Sequence, residues 1–315
     1  MGVVVISKNK AMNYIKIFPL LSLLLLSFCA QAQIAPEDVE KIKTYEDSLI
    51  VDGFLVVNDT LPERRFLATK KMILHLKSAL RYDHSFQYTF DRLNTVSIQY
   101  APDSTFRIFS WQLMVSPVDY RYFGVIQMNT KEVQLIPLAD RSATVENVQQ
   151  AVLSPREWYG ALYYNIKKIE QNGKPYYLLF GYDAYSNRNR RKILDILHYG
   201  PDGGVVFGAP VIPTKEGQPL HRLLLEYYGD SNVRLNYDQA LGSIVYDHLI
   251  EIPGRAGQGA MMVPDGSYQA LEVQADKLVF VDKLFNNQAV DEAPREEPVL
   301  GNSSRDLFGN KKGKN

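Results

Sequence analysis

Five histidines are spread along the chain, at positions 75, 84, 198, 221 and 248. None stands in a His-x-His or His-Glu-x-x-His arrangement, so no local motif converges on a metal ion. No alternating acidic loop of the calcium-binding kind is present either. The expectation is therefore no metal and no cofactor. Acid–base chemistry would need carboxylates or imidazoles gathered from distant strands. Asp183, Asp247 and His248 are the first candidates, because they follow Tyr182 and Tyr246 at strand-like stretches. Ligand recognition asks for accessible rings and cations instead. Asn187-Arg-Asn-Arg-Arg-Lys192 concentrates four cations beside Tyr182, Asp183 and Tyr185. Tyr182, Tyr185, Arg188 and Arg190 are thus the candidate binding residues, set against the plainer reading of a solvated loop.

Two other arrangements fail on position. Gly229-Asp-Ser231 and Asp195-x-x-His198 have the makeup of an esterase nucleophile and base block. Their chain order is reversed, and the Asp-x-x-His falls within a predicted strand. Gly254-Arg-Ala-Gly-Gln-Gly259 is glycine-rich, but its spacing is the reverse of a dinucleotide loop and no helix follows. It reads as a loop.

The elements that must position these residues are mostly strands. Phe86, Tyr88 and Phe90 alternate with polar residues, and alternating stretches recur from Val96 to Val281. Ala101-Pro-Asp-Ser104, Gln171-Asn-Gly-Lys174, Pro201-Asp-Gly-Gly204 and Pro264-Asp-Gly266 carry hairpin-turn chemistry. Helix signals do not alternate with strands, so a parallel sheet is not expected. The fold class is mainly β: antiparallel sheets, sandwich-like or an open barrel, over residues 85–285. A degenerate β-propeller is the alternative architecture. The 20 tyrosines include neighbours such as Tyr163/Tyr164 and Tyr227/Tyr228. Adjacent strand residues face opposite sides, so one ring of each pair is free to point outward.

Two short helices are expected in residues 33–84, packed on the β domain. Val39, Ile42 and Leu49 recur at helical spacing after Pro36. Thr60-Leu-Pro-Glu63 has a capping-box pattern, with Phe66, Ile73, Leu76 and Leu80 forming the buried face. His75 falls opposite that face, in solvent. Lys70, Lys77 and Arg81 flank the face, which is compatible with an anionic membrane surface, although docking on a sheet is the preferred reading. Residues 286–315 lose periodicity and read as a disordered tail.

The N-terminus speaks to location. Lys8, Lys10 and Lys16 precede an uncharged apolar run from Ile17 to Ala30, which ends Ala30-Gln-Ala32. This is the layout of a signal peptide spanning residues 1–32, cleaved between Ala32 and Gln33. The alternative is a lipoprotein anchored through Cys29, against which stands the bulky Phe28. Cys29 is the one cysteine, so cleavage leaves a mature chain with no disulfide and no thiol nucleophile. Lys+Arg and Asp+Glu number 35 each, which argues against a nucleic-acid binder. No mature apolar run approaches the ~20 residues of a membrane span.

Ser85-Phe-Gln-Tyr-Thr-Phe-Asp91, continuing through Phe106-Arg-Ile-Phe-Ser-Trp111 to Tyr122-Phe-Gly-Val125, is one distinctive stretch. Val245-Tyr-Asp-His-Leu249 followed by Val263-Pro-Asp-Gly-Ser-Tyr268 is another. Together they resemble a group of uncharacterised exported proteins of Bacteroidota, over most of residues 61–284. The resemblance implies a periplasmic or outer-envelope location and no particular activity. It also draws attention to Ser48, Thr60 and Ser104, which stand in the Asp-Ser/Thr-x pattern of O-glycosylation in that group. A cap and two turns account for the same residues. The function expected is a non-catalytic exported β protein that binds an envelope glycan or protein. The alternative is a hydrolase with acids assembled from distant strands.

Overall fold

The computed structural model describes residue 2 and residues 34–254, 259–275 and 277–285. The predicted signal peptide, the Ala32–Gln33 junction, Cys29, positions 255–258 of the glycine-rich loop and the tail 286–315 lie outside the described residues. The chain divides into two compact units. One is Met1–Val96 with Gln127–Leu135, and the other is Ser97–Ile126 with Ile136–Asn315.

The first unit is built on a helical hairpin. Helices α1 (Pro36–Asn58) and α2 (Pro62–Leu80) are 23 and 19 residues long, so neither is short. Each opens on a proline, whose missing N–H costs nothing in the first turn. In α1 the buried stripe is Ile42, Glu46, Leu49, Asp52 and Val56, at three- and four-residue steps. Gly53 lies in the same stripe. A Cβ there would sit 2.0 Å from Thr95 Oγ1, so the close approach requires glycine despite its cost of about 1 kcal/mol in a helix.

The α2 face differs from the expected one. Arg65, Ala68, Thr69, Met72, Leu76, Ala79 and Leu80 are buried, while Phe66 and Ile73 are exposed. Arg65 is drawn inward because its Nη1 donates to the Asp59 carbonyl at 2.8 Å, and Thr69 Oγ1 donates back to the Arg65 carbonyl at 2.8 Å. Nor does Thr60 cap the helix. Leu61 is the N-cap and makes no side-chain bond, while Asp59 Oδ1 takes the Leu61 N–H. His75 is not free in solvent: its Nδ1 lies 2.7 Å from Oδ2 of the buried Asp52.

Residues 85–90 form no strand. Ser85–Gln87 is a 3-10 turn, flanked by His84 and Phe90 at positive φ. The alternation of Phe86, Tyr88 and Phe90 has a different origin. Tyr88 donates to Glu46 at 2.7 Å, its ring meets Phe90 edge-on at 4.8 Å, and Phe90 is buried. Glu46 also accepts from the Arg92 backbone at 3.0 Å and from Arg92 Nη2 at 2.7 Å. A buried carboxylate thus holds residues 85–92 in a turn that an extended chain could not make. The first unit therefore runs past residue 84 to Val96.

Thirteen strands follow among the described residues, in three antiparallel sheets, none closed into a barrel. Sheet I joins β1 (Ser97–Tyr100), β2 (Phe106–Ser116), β3 (Asp119–Met128) and β4 (Gln134–Ala139). Sheet II joins β5 (Leu162–Gln171), β6 (Lys174–Asp183), β7 (Asn189–Tyr199) and β8 (Val205–Phe207), with β9 (Leu223–Tyr228) paired to β7. Sheet III joins β10 (Leu235–Asp238), β11 (Ser243–Pro253), β12 (Ala260–Val273) and β13 (Leu278–Val281).

In the second unit, sheet II is covered on both faces. Leu178, Phe180, Leu194 and Ile196 share a core with Leu235, Ile244 and Leu271 of sheet III. The alternate residues face sheet I: the Tyr177 ring meets Phe106 edge-on at 4.8 Å, and Tyr163 N–H donates to Ser110 at 3.0 Å. Burial on both sides is why the middle of β6 reads as an unbroken apolar run, and why in β7 only the buried Asp195 interrupts the run from Ile193 to Leu197.

Three of the expected turns close hairpins. At Asn172-Gly173 both residues have positive φ, as a two-residue turn between β5 and β6 needs. Pro264-Asp-Gly266 does not turn the chain. It lies inside β12, where Leu249 pairs with Pro264 but Asp247 pairs with Tyr268. Residues 265–267 therefore bulge opposite the single residue His248.

Candidate functional site

The four expected binding residues sit around the β6–β7 connection, but their side chains are mostly engaged. Arg190 turns back into its own loop and donates to the carbonyls of Ala184, Ser186 and Asn189. Arg188 Nη2 reaches the Gly259 carbonyl at 3.4 Å. Tyr185 is exposed, yet the Arg191 guanidinium covers its ring at 3.2 Å. Tyr182 is half-buried with the Lys192 ammonium 5.5 Å from its ring. The cations fix a loop whose backbone would otherwise lack partners.

Asp183 is the hub of a buried polar network. It accepts from Tyr122 at 3.0 Å, Tyr159 at 3.0 Å and the Tyr185 backbone at 2.8 Å. Burial pushes its carboxyl up from the ordinary value, against those hydrogen bonds. Tyr159 in turn accepts from Arg191 Nη1 at 2.8 Å, and Arg191 pairs with Glu226 at 2.7 Å. A second network lies beside it. Asp195 accepts from Tyr163 at 3.1 Å and from Arg222 Nε at 2.8 Å, and Trp158 donates to Tyr163 at 2.8 Å. Arg222 Nη2 also sits 2.8 Å from Asp195 Oδ1, without the alignment of a hydrogen bond. These buried groups tie strands together, and none of them lines the cleft at His248. Asp247 is likewise buried and accepts from the Arg234 backbone N–H.

His248 is placed differently. It lines a cleft of about 360 Å³ together with Asp265, Tyr268, Asp282, Lys215 and Phe285. Its Nδ1 lies 2.8 Å from Asp265 Oδ2. Asp265 Oδ1 accepts from Ser267 Oγ at 2.7 Å and from Ser267 N at 2.8 Å. Across the cleft Lys215 pairs with Asp282 at 2.9 Å, and Gln269 Nε2 reaches the other Asp282 oxygen at 3.3 Å. The Tyr268 and Phe285 rings meet edge-on at 6.2 Å. A neighbouring hollow of about 340 Å³ shares Lys215, His248 and Asp282 and is lined by Leu220, Leu225 and Phe280. The bulge in β12 builds this site. It lifts Asp265 out of the pleat and over His248 on the adjacent strand, which regular pairing would forbid.

Both cleft acids are held in the charged form. Lys215 lowers Asp282. The Ser267 hydrogen bonds, then His248, hold Asp265 at about 2. A folded pKa below the unfolded one adds stability above about pH 4, and that contribution is lost as the pH falls toward 2. Asp265→Asn is therefore expected to cost about 1 kcal/mol at pH 7, allowing for solvent screening, and markedly less at pH 2. Urea melts at the two pH values measure the difference.

Of the sequence candidates, His248 lines this cleft; Asp265, Tyr268, Lys215, Asp282 and Phe285 are not among those candidates. The Pro-Asp-Gly triplet was the available signal, and it reads equally as a turn. Of the three glycosylation-pattern residues, Ser48 lies within α1, Thr60 between the helices and Ser104 in the β1–β2 turn. Among the described residues, no group of three or more His, Cys, Asp and Glu side chains is arranged to hold a metal ion, and no helix is long and apolar enough to cross a membrane. In comparison with known proteins, no family model matches the chain, and neither a curated protein nor a solved structure does so.

Proposed function

We propose that this is an exported, non-catalytic β protein that binds a glycan in the His248–Asp265 cleft. One observation carries the reading: an aromatic pair, the exposed Phe285 and the half-buried Tyr268, shares a cleft with charged acceptors and donors whose positions are already fixed. Sugars present apolar C–H faces and a rim of hydroxyls, and such a cleft offers a surface for each. Preset ion pairs keep the cost of ordering on binding low. Export, to the periplasm or outside the cell, rests on the charge and hydropathy pattern of residues 1–32.

The competing hydrolase needs a carboxylate free to attack or to pass a proton. Asp183 is committed to two tyrosines, Asp265 to Ser267 and His248, and Asp282 to Lys215. An array of neutral and acidic oligosaccharides, followed by calorimetry on the hits, tests the proposal. At least one saccharide is expected to bind with Kd below about 1 mM. Tyr268→Ala and Phe285→Ala should each weaken it about tenfold. Binding unaltered by both substitutions, or no binding on the array, overturns the reading, and release of reducing ends from a bound saccharide favours the hydrolase.

A further inference from the structure

The first unit carries a surface unrelated to the cleft. Of 15 large apolar residues exposed among the described residues, eight fall between positions 51 and 74. Helix α1 contributes Val51, Phe54 and Val57, each at least 58% exposed. Leu67 and Leu74 project from α2 opposite its buried stripe, Leu61 precedes it, and Phe66 and Ile73 flank it. The register that sets Asp52 beside His75 and Tyr45 beside Tyr82 brings Phe54 level with Ile73. All eight therefore belong to the half of the hairpin nearest its turn. A soluble domain left with so concentrated an apolar surface has something to cover it.

Charge decides what. Lys70, Lys77 and Arg81 stand on the same stripe of α2 as Leu67 and Leu74, and Arg64 and Lys71 border it. All five cations are exposed, and none makes an ion pair among the described residues. Of the nearby acids, Asp52 is buried against His75, Asp59 is half-buried and the exposed Asp47 is paired with Arg92, which leaves Glu63 near the turn and Asp83 beside Arg81 against five cations. A second copy docked by two-fold symmetry would set these cations against themselves. A protein interface core is also poor in lysine. Apolar side chains interleaved with cations on long stems suit the boundary between acyl chains and anionic headgroups, where lysine stems lie along the apolar layer and the ammonium reaches outward.

We propose that the outer face of the α1–α2 hairpin, with its apolar side chains concentrated toward the turn, docks on the surface of an anionic phospholipid bilayer. The test uses the full chain carrying Phe54→Trp, read by fluorescence. The two native tryptophans, Trp111 and Trp158, are buried and supply a constant background. Vesicles of 30% phosphatidylglycerol in phosphatidylcholine are expected to shift the new indole to the blue and expose it to brominated lipid. Affinity should be about tenfold lower for pure phosphatidylcholine and should fall with added salt. Leu67→Glu with Leu74→Glu should abolish the shift, while leaving the far-ultraviolet spectrum unchanged because both side chains are exposed. Three results would each overturn the proposal: no shift with either vesicle, equal binding to both, or a shift that depends on protein concentration without lipid. The last would assign the face to self-association.

Discussion

Arg222→Ala is expected to lower the unfolding free energy by about 3–5 kcal/mol, the largest effect of any single change considered. Arg222 and Asp195 are both almost wholly buried, and they face each other at 2.8 Å. Arg222 Nη1 also donates to the Val148 carbonyl at 2.7 Å. Removing the guanidinium leaves a carboxylate deep between two sheets, with a tyrosine hydroxyl and its neighbour's backbone N–H as its remaining donors. It also leaves a void where a long side chain filled space. Asp195→Asn in the same background should recover part of the loss, because it removes the stranded charge. Urea denaturation of the single and double variants measures both numbers. A loss under 1 kcal/mol for Arg222→Ala would mean that solvent reaches Asp195.

Asp183→Ala is expected to cost about 2–4 kcal/mol. Two buried tyrosine hydroxyls and a backbone N–H lose their acceptor together. The pH dependence has a definite sign. Burial raises the folded-state pKa of Asp183 above its unfolded value. Its contribution is therefore most favourable at low pH and declines as the pH rises through the folded pKa. The deficit of Asp183→Ala relative to the parent protein should accordingly shrink from pH 4 toward neutrality. A deficit that grows over that range would show that the hydrogen bonds to the charged form outweigh burial.

The pH behaviour of Asp183 and Asp265 runs in opposite directions, although both are acids in the same chain type of environment, a β-strand. The difference comes from surroundings that no local pattern encodes. Asp183 is enclosed between sheets I and II, whereas Asp265 is lifted to the surface by a bulge. In sequence, Asp183, Asp247 and His248 look alike because each follows a tyrosine, Tyr182 or Tyr246, within a strand. Only the packing of three sheets separates two structural acids from one cleft histidine.

Local order was legible wherever a short-range cause was sufficient. Alternation located the strands from Ser97 onward, since a face period of two is a property of the extended chain itself. Asn172-Gly173 announced its hairpin because both residues tolerate positive φ. Pro36 and Pro62 marked the helix starts for an equally local reason. The sequence by itself thus determined the antiparallel class, most strand positions and the two helices. Tertiary structure decided the rest. Glu46 captured Arg92 and Tyr88 and made a turn of an alternating segment, Arg65 rotated the buried face of α2, and residues 265–267 became a bulge rather than a hairpin. Each of these outcomes depends on a partner far along the chain or across a sheet. A buried polar group must find such a partner or unfold its surroundings, and that requirement overrides local preference.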